Sequence, residues 1–367
     1  MQNYSAEERS YLWLDAFPLP TREKNALIEK AGSAVRLVKN CAEILEKTVK
    51  EKKSGVYNDM VESLKNDVFY KTLTEEYESR RIAAIPRISD GFFKEWKEAE
   101  DPPLVQYEKG NASLKKRDGF AVVGSRRTPP EAMKRTKETA ERLSDVFTIV
   151  TGSADGGDEA ARAGAEQNGG CIVALAGGFS SIENARCDFK NNLYVTEHAY
   201  SVPALKFSYE RRNRLLAAIA KSALVVSAGE KSGALITARY VLSGGKPLFA
   251  FPYDPSSPAG RGCNNLIKNG AFLAENAEDI FRKLGVSPAL RGDISESGAV
   301  RAPAQKTDGM NETERAIFEA LKTTGKANIN ALAHETGLPA WKISGAITSL
   351  EVKGILIRTG GNFVSLV

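Results

Sequence analysis

Residues 119–127 read Gly-Phe-Ala-Val-Val-Gly-Ser-Arg-Arg, and this stretch decides the fold. The apolar run at 120–123 predicts a short buried strand, and a helical pattern starts at Glu131. A strand, a tight turn and a helix in this order aim backbone N–H groups and the positive end of a helix dipole at one point, a geometry that holds phosphate. The turn carries Arg126 and Arg127 in place of further glycines. It therefore favours a charged phosphate clamp over a glycine-lined cradle for a dinucleotide.

The same alternation of strand, turn and helix continues to about residue 285. Apolar runs predict further strands at 147–151, 171–176, 193–195, 223–227 and 248–251. Helical stretches rich in Ala, Glu, Lys and Arg lie between several of these strands. The pattern is typical of an α/β protein with a doubly wound, mostly parallel sheet. Ligands of such sheets bind beyond the carboxyl ends of the strands, so the turns that follow the strands are the candidate site.

Two smaller modules are predicted on either side of this core, which occupies residues 86–285. Residues 1–85 carry apolar side chains at helical spacing and predict an all-helical module. Residues 286–310 are rich in Ser, Gly, Pro and charged residues and predict a flexible linker. Residues 311–367 predict three helices followed by a glycine-turned hairpin, which together make a C-terminal winged helix-turn-helix.

Length, cysteine content and hydropathy exclude several classes of protein. At 367 residues two or three domains are expected, and the sequence has no apolar run long enough to predict a membrane-spanning helix. The first residues show no basic region followed by an apolar one, so no secretory signal is predicted. The four cysteines are far apart and only two histidines are present. This predicts buried reduced thiols in a cytoplasmic protein, without a disulfide framework or a metal site.

The net charge of +5 is concentrated in the middle of the chain. Residues 101–310 contain 28 Lys and Arg against 23 Asp and Glu, whereas residues 1–100 contain 17 against 18. A basic middle segment fits a polyanion or a phosphorylated ligand. A charge that serves only solubility is an equally good interpretation of this composition.

Three glycine-containing turns follow predicted strands, at 124–127, 151–158 and 229–237. Glycine lets a ligand approach the backbone, hydroxyl and N–H groups donate to phosphate, and Arg or Lys side chains add charge. The candidate binding residues in these turns are Gly124, Ser125, Arg126, Arg127, Gly152, Ser153, Lys231, Ser232, Gly233 and Thr237. A tight connection without a ligand explains any one turn equally well, but explains three turns of one sheet less well.

A fourth candidate is the run at 207–214, Phe-Ser-Tyr-Glu-Arg-Arg-Asn-Arg. It places Arg212, Asn213 and Arg214 near a predicted helix start, beside Phe207 and Tyr209. Arginine combined with aromatic faces binds single-stranded nucleic acid by charge and by base stacking. The alternative is a solvated basic helix end with aromatic side chains in the core.

Enzyme signatures are weak in this sequence. It contains no Gly-x-x-x-x-Gly-Lys-Ser/Thr loop and no Gly-x-Ser-x-Gly elbow, and the first turn lacks the Gly-x-Gly-x-x-Gly spacing. An enzyme that binds nucleotides or hydrolyses nucleosides is nevertheless the alternative function. It would need a carboxylate at the glycosidic bond, for which Asp155, Asp158 and Glu230 are the candidates.

Five motifs in this order resemble the bacterial DNA-processing protein A family (DprA, also called Smf). They are Val-Gly-Ser-Arg at 123–126, Thr-Gly-Ser-Ala-Asp-Gly-Gly-Asp at 151–158, Arg-Asn-Arg at 212–214, Lys-Ser-Gly-Ala-Leu-Ile-Thr-Ala at 231–238 and Gly-Cys-Asn-Asn-Leu-Ile-Lys-Asn-Gly-Ala at 262–271. The resemblance covers roughly residues 85–285. Five motifs in the right order are strongly specific, although none is specific alone.

The resemblance implies a non-enzymatic protein of natural transformation, without cofactor, that binds single-stranded DNA, protects the incoming strand and helps load the RecA recombinase. It implies an extended Rossmann-like core that forms a homodimer, flanked by a SAM-like helical module and by the winged helix. The residues that it assigns to the DNA pocket are Arg126, Arg212, Arg214 and Lys231, with Gly124, Ser125, Gly152, Ser153, Ser232, Gly233 and Thr237 as the accessible surface. For the winged helix, a protein-contact or stabilising role is favoured over duplex reading, because its third helix has few cations.

Overall fold

A nine-stranded sheet forms the centre of the first unit of the chain in the residues that are described. The computed structural model describes residues 4–46, 54–65, 68–287, 310–324, 326–352, 355–359 and 363–366. Two units are distinguished, Met1–Ala289 and Leu290–Val367. The predicted linker lies outside the described residues from 288 to 309.

The sheet is mostly parallel. Its strands are β1 (Ala83–Pro86), β2 (Val105–Gly110), β3 (Gly119–Gly124), β4 (Thr148–Thr151), β5 (Cys171–Ala174), β6 (Leu193–Thr196), β7 (Ala220–Ser227), β8 (Leu248–Ala250) and β9 (Phe272–Leu273). Their order is β1-β2-β6-β5-β4-β3-β7-β8-β9. Strand β2 pairs antiparallel with both β1 and β6, and all the other pairs are parallel.

Helices cover both faces of this sheet. Those of the first unit are α1 (Ala6–Asp15), α2 (Thr21–Ala31), α3 (Ala34–Lys39), α4 (Cys41–Glu46), α5 (Ser54–Ser63), α6 (Val68–Ser79), α7 (Lys94–Lys97), α8 (Pro130–Leu143), α9 (Gly157–Ala165), α10 (Lys206–Ile219), α11 (Ala234–Ser243), α12 (Arg261–Lys268) and α13 (Ala277–Leu284). Short 3₁₀ segments lie at Ala112–Lys116, Glu166–Asn168 and Phe179–Ile182. This α/β architecture agrees with the fold class predicted from the alternating pattern.

The pleat of β3 shows how the two layers are built. Phe120 and Val122 pack in a buried cluster with side chains of α8, α9 and α13. Ala121 and Val123 pack in a second cluster with side chains of α10, α11 and α12. Successive side chains of a strand point to opposite faces, so a continuous apolar run is what a strand buried on both faces requires.

The N-terminal helices share a core with the sheet. Leu12 and Leu14 of α1 and Leu27 of α2 belong to the same buried cluster as Tyr107 and Tyr194 on β2 and β6. The segment predicted to be all-helical is helical up to the end of α6 and then contributes β1 to the sheet. These helices are therefore packed on the part of the sheet formed by β1, β2 and β6.

The six predicted strands are all present as β3 to β8, with ends shifted by a few residues. Strands β1, β2 and β9 are additional to the prediction. Strand β2 was not recognisable as buried because it carries Gln106 and Glu108 on a buried face. The Gln106 amide oxygen accepts from the Phe93 N–H at 2.8 Å, and Lys115 Nζ donates to Glu108 at 2.8 Å, so both polar groups are satisfied.

The described residues of the second unit form three helices and a three-stranded antiparallel sheet. The elements are α14 (Glu312–Thr324), β10 (Lys326–Asn328), α15 (Ile329–Thr336), α16 (Ala340–Val352), β11 (Leu356–Thr359) and β12 (Phe363–Leu366), with strand order β10-β12-β11. The first of these helices is capped, because the Asn311 side chain accepts from the Glu314 N–H at 2.9 Å. The three predicted helices and the hairpin are confirmed, and β10 is an addition.

All four cysteines are free, and three of them, Cys41, Cys171 and Cys263, are buried within the described chain. Burial raises the pKa of the Cys263 thiol to about 12 and that of Cys41 to about 11. Across the described residues, no helix combines the length and apolar character needed to cross a membrane.

Candidate nucleic-acid interface

A cavity of about 1350 Å³ opens where the strand order reverses, beyond the carboxyl ends of β3 and β7. From β3 the chain builds the sheet outward through β4 and β5, and from β7 it builds in the other direction through β8 and β9. The connections that leave these two neighbouring strands diverge and leave a crevice between them. The cavity is lined by the turns after β3 and β7, by the N-terminal half of α10 and by the loop after β8.

The turn after β3 is held by close backbone packing. A Cβ on Gly124 would lie 2.8 Å from the Gly157 Cα at the start of α9, so a side chain does not fit there without a shift. The Ser125 N–H donates to the Ser227 carbonyl at 3.0 Å, and the Ser125 and Ser227 hydroxyls are 3.0 Å apart. Thr128 Oγ1 lies 2.6 Å from the Ser227 hydroxyl. The turn is therefore fixed to β7, and its two following arginines project from a rigid base.

Arg126 and Arg127 are exposed, as are Lys206 and Lys231, and all four line the cavity. None of these four cations forms an ion pair with another part of the described chain. The Arg126 guanidinium lies over the ring of Tyr209, 4.9 Å from its centroid. Unpaired cations around one concavity attract a polyanion, and the attraction weakens with salt.

Arg212 and Asp158 are buried near each other in the wall of the cavity and attract each other electrostatically, without a direct hydrogen bond between them. Arg212 also donates to the Ala174 carbonyl and, through Nε, to the Asn213 side chain at 3.1 Å. Asp158 accepts from the Gly124 N–H at 3.1 Å. Burial raises the pKa of Asp158 above its usual value, while the Arg212 charge and the backbone N–H groups lower it in part. Burial likewise lowers the pKa of Arg212, opposed by Asp158.

Gly152 makes room for this pair. A Cβ added at Gly152 would overlap both the Asp158 carboxylate and the Arg212 guanidinium. Neither Gly152 nor Ser153 lines the cavity. The glycine that the sequence placed on the ligand-accessible surface instead leaves room for the buried Asp158 and Arg212 side chains.

The turn before α11 contributes Lys231, Ser232 and Gly233 to the same cavity. The Asn213 Nδ2 donates to the Gly233 carbonyl at 3.2 Å, which ties α10 to this turn. Gly233 is the N-cap of α11 and has no side chain to cap the first turn of the helix. The first N–H groups of α11 are satisfied within the turn, because Ala234 donates to the Ser232 hydroxyl at 3.4 Å and Leu235 and Ile236 donate to the Ser232 and Gly233 carbonyls at 3.1 Å. The turn therefore offers the cavity the charge of Lys231 and no free N–H group from this helix start.

Ten of the thirteen predicted binding residues line this one cavity. They are Gly124, Ser125, Arg126, Arg127, Arg212, Asn213, Lys231, Ser232, Gly233 and Thr237.

The placement of Arg214 beside Arg212 needs correction. Successive residues of a helix are rotated by about 100°, so positions 212 and 214 point in different directions. Arg214 is buried on another face of α10, and its Nη2 donates to Glu197 Oε2 at 2.6 Å.

Sequence reasoning missed several lining residues. Lys206 and Glu210 lie on α10 on either side of Phe207 and Tyr209, and Pro258 and Ala259 reach the cavity from the loop after β8. Phe207 is 62% exposed, an unusual position for a large aromatic side chain. The sequence could not predict whether Phe207 is exposed, because the apolar pattern at the start of a helix does not show which way each side chain faces. The loop after β8 could have been found by its position next to β7 in a parallel sheet.

The carboxylates proposed for an enzyme do not converge. Asp158 is buried and paired with Arg212. Asp155 and Glu230 do not line the cavity, and Glu230 lies 3.7 Å from Arg261. In the part of the chain that is described, no three His, Cys, Asp or Glu side chains lie close enough together to hold a metal ion. The arrangement is one of cations and aromatic rings, suited to binding phosphate and bases.

The fold and the site define a class, namely an open α/β protein with a crevice lined by exposed cations at its topological switch point. Residues 84–285 match the family model described as DNA recombination-mediator protein A, and the chain belongs to that family. The family match confirms the resemblance seen in the five motifs.

The similar proteins agree with this assignment. A putative DNA processing protein DprA of Mycobacterium tuberculosis is 33% identical over 263 residues, which are 69% of this chain and 66% of that protein. The X-ray structure of DNA processing protein A from Streptococcus pneumoniae aligns with a TM-score of 0.62 at 24% identity, over 77% of this chain and 99% of that one. A structure that concerns the single-stranded DNA binding mode of DNA processing protein A from Helicobacter pylori aligns with a TM-score of 0.50 at 25% identity, over 56% of this chain and 95% of that one.

Proposed function

We propose that this chain binds single-stranded DNA in the switch-point cavity, without catalysing a reaction on it. The observation that carries the proposal is the set of four exposed cations, Arg126, Arg127, Lys206 and Lys231, around one concavity that also holds Phe207 and Tyr209. Cations placed along a groove neutralise phosphates, and exposed rings stack on unpaired bases of any sequence. The match to a Helicobacter pylori protein described by its single-stranded DNA binding mode supports the same ligand.

The shape of the cavity favours a single strand over a duplex. Its cationic side chains surround a crevice whose wall contains the buried Arg212 and Asp158 side chains. A duplex presents stacked and paired bases, whereas a single strand can turn its bases toward rings such as Phe207. Phosphates at the crevice meet the exposed charge of Lys231.

In the cell, this binding would serve natural transformation. The chain would protect incoming single strands and help load the RecA recombinase onto them, in the cytoplasm. Membership of the recombination-mediator family and the similarity to DNA processing proteins support this role. Contacts to the recombinase would lie outside the cavity, because the cavity holds the strand.

The core would form a homodimer, and the second unit would act as a winged helix. In support of the first, Leu242 of α11 is 46% exposed and β9, the last strand of the sheet, exposes Phe272 and Leu273. In support of the second, the helix and strand order of α14 to β12 is the one that the sequence predicted for a winged helix. Its third helix exposes Trp341 and Lys342 but also Glu351, which favours contact with protein over duplex reading.

The test is the salt dependence of single-strand affinity. We expect a labelled strand of about 20 nucleotides to bind much more tightly than a mononucleotide, with affinity that falls steeply as salt rises. Replacing Arg126 and Lys231 together by alanine should lower the affinity more than about tenfold and reduce the salt slope by roughly two. The matched control is Lys71→Ala on α6, an exposed cation remote from the cavity.

Three results would contradict the proposal. A folded double variant that binds with wild-type affinity and slope would remove the cavity as the DNA site. Release of free base from a nucleotide would favour the enzyme interpretation. Duplex binding as tight as single-strand binding would contradict the strand preference.

A further inference from the structure

Helix α10 carries two functional faces. Tyr209, Arg212 and Asn213 lie on the face that lines the DNA cavity. Arg211 and Arg214 are three residues apart, so they share another face of the same helix. Whatever fixes this rear face therefore fixes the position of the residues on the front face.

Glu197, the residue after β6, holds the rear face. Arg214 Nη2 donates to Glu197 Oε2 at 2.6 Å, and Arg211 Nη2 lies 3.8 Å from the same oxygen. The Arg214 and Glu197 side chains are 6% and 3% exposed. One buried carboxylate oxygen thus holds the Arg214 guanidinium directly and also lies near the guanidinium of Arg211, which is 33% exposed.

Arg211 also connects α10 to the N-terminal helices. Its Nη2 donates to the Thr21 hydroxyl at 3.1 Å, at the first residue of α2, and to Asp101 Oδ2 at 3.0 Å. Asp101 adopts a left-handed conformation with a φ of 52°, which is unusual for a residue other than glycine. Its other carboxylate oxygen accepts from Asn25 on α2 at 3.3 Å. The backbone at Asp101 is held in this conformation where its side chain joins α2 to α10.

Stability alone does not explain this cluster. Glu197 Oε1, His198 Nε2, Arg211 Nε and Arg214 Nη1 are buried and have no hydrogen-bond partner among the described residues. A buried ion pair with unsatisfied atoms is less favourable than well-packed apolar side chains of the same volume. The cluster instead specifies one position of α10 relative to β6 and α2.

We propose that Glu197 is a positioning residue of the single-stranded DNA site, and that the N-terminal helices set the position of α10 through Arg211 and Asp101. The inference rests on the proposed function. Without the Glu197 charge, the buried Arg214 guanidinium has no counter-charge, and α10 must shift to bring it to water. The shift moves Arg212 relative to Asp158 and breaks the Asn213 bond to the Gly233 carbonyl, which disturbs the turn that carries Lys231.

The sign of the effect separates positioning from simple electrostatics. Glu197→Gln and Asp101→Asn each remove a negative charge and keep the shape of the side chain. If charge alone mattered, both variants would bind a polyanion as tightly as the wild type or more tightly. Positioning predicts the opposite result. We expect about a fivefold or larger loss of single-strand affinity for Glu197→Gln and a smaller loss for Asp101→Asn.

The experiment measures the anisotropy of a labelled single strand with the full chain at several salt concentrations, together with the melting temperature of each variant. Ile280→Ala, in a buried position of α13, is the control for loss of stability alone and should retain the wild-type affinity below its melting temperature. Glu197→Asp keeps the charge and should recover part of the affinity. If Glu197→Gln does not fold, the affinity of Asp101→Asn tests the inference instead. Asp101 is partly exposed, so its substitution disturbs the buried core less.

Wild-type or tighter binding by folded Glu197→Gln, or by Asp101→Asn where the former does not fold, overturns the inference. An affinity loss in Ile280→Ala as large as that of Glu197→Gln overturns it as well. If the wild-type chain does not bind single strands, the proposed function fails and this inference fails with it. The wild type could bind single strands, with affinity that falls in Arg126→Ala and is unchanged in Glu197→Gln. That result would overturn this inference and leave the proposed function standing.

Discussion

The Arg126 guanidinium stacks over the ring of Tyr209, with its central carbon 4.9 Å from the ring centroid. This contact joins the turn after β3 to helix α10 across the mouth of the cavity. A guanidinium held on an aromatic face loses less conformational freedom when it binds a phosphate. The two residues are 83 positions apart in the sequence, so the chain alone does not reveal their contact.

Replacing Arg126 by lysine keeps the charge and removes the planar stack. We expect Arg126→Lys to lower single-strand affinity by roughly threefold to tenfold, because both the bidentate phosphate contact and the stack on Tyr209 are lost. The slope of affinity against salt should remain that of the wild type, since the number of neutralised phosphates is unchanged. Arg126→Ala is the comparison, and its slope should fall by about one. Equal affinity of Arg126→Lys and the wild type would show that only the charge matters.

A methyl group at position 152 should disrupt the wall of the cavity. The Cβ of Gly152→Ala would overlap the Asp158 and Arg212 side chains. We expect a destabilisation of roughly 1–3 kcal/mol in the free energy of unfolding, measured by urea titration, together with weaker single-strand binding. Gly169→Ala is the matched control for an added methyl, because a Cβ there meets nothing, although its φ of 109° adds backbone strain. Normal stability and affinity of Gly152→Ala would mean that the Asp158 and Arg212 side chains can move aside for the added methyl group.

The exposed ring of Phe207 should act as a stacking platform. Stacking of one base on an aromatic side chain contributes roughly 1–3 kcal/mol, so Phe207→Ala should weaken single-strand binding by about fivefold or more. The fold should be unaffected, because the ring is 62% exposed. Leu205→Ala is the control, since Leu205 is 47% exposed beside the cavity but does not line it. An equal effect of the two substitutions would argue against stacking on Phe207.

His198 should make stability depend on pH. Burial lowers the pKa of His198, with Glu197 opposing the shift. The folded chain therefore binds this proton more weakly than the unfolded chain, for which the pKa is about 6.5. The stability that depends on the neutral ring is complete above that value and is lost as the pH falls toward the lowered pKa.

The measurement is the melting temperature of the wild type and of His198→Gln between about pH 7.5 and pH 5.5, a window that contains the ordinary titration of histidine. We expect the variant to lose less stability on acidification than the wild type. His334→Gln, which changes the other histidine of the chain, should retain the wild-type slope. An identical slope for His198→Gln and the wild type would show that His198 binds its proton equally well in the folded and the unfolded chain.

Most of the sheet was predictable because its strands are buried on both faces and read as unbroken apolar runs. Residues 120–123 and 171–174 show this most clearly. Strand β2 was not predicted, because its buried residues Gln106 and Glu108 are polar and their hydrogen-bond partners lie outside the strand. Ten of the thirteen predicted site residues meet at one cavity because parallel strands deliver their following turns to the same edge.

The sequence by itself determined the alternation of elements, the position of the glycine-containing turns and the family to which the chain belongs, because these depend on local pattern and ordered motifs. Only the tertiary structure decided which arginines of the 211–214 run reach the cavity. The answer depends on how α10 is rotated on the sheet and on the partners Asp158 and Glu197, which belong to other elements of the chain. It also decided that Gly152 makes room for the buried Asp158 and Arg212 side chains. Side-chain direction and long-range charge pairing are set by packing between elements, and no local pattern encodes that packing.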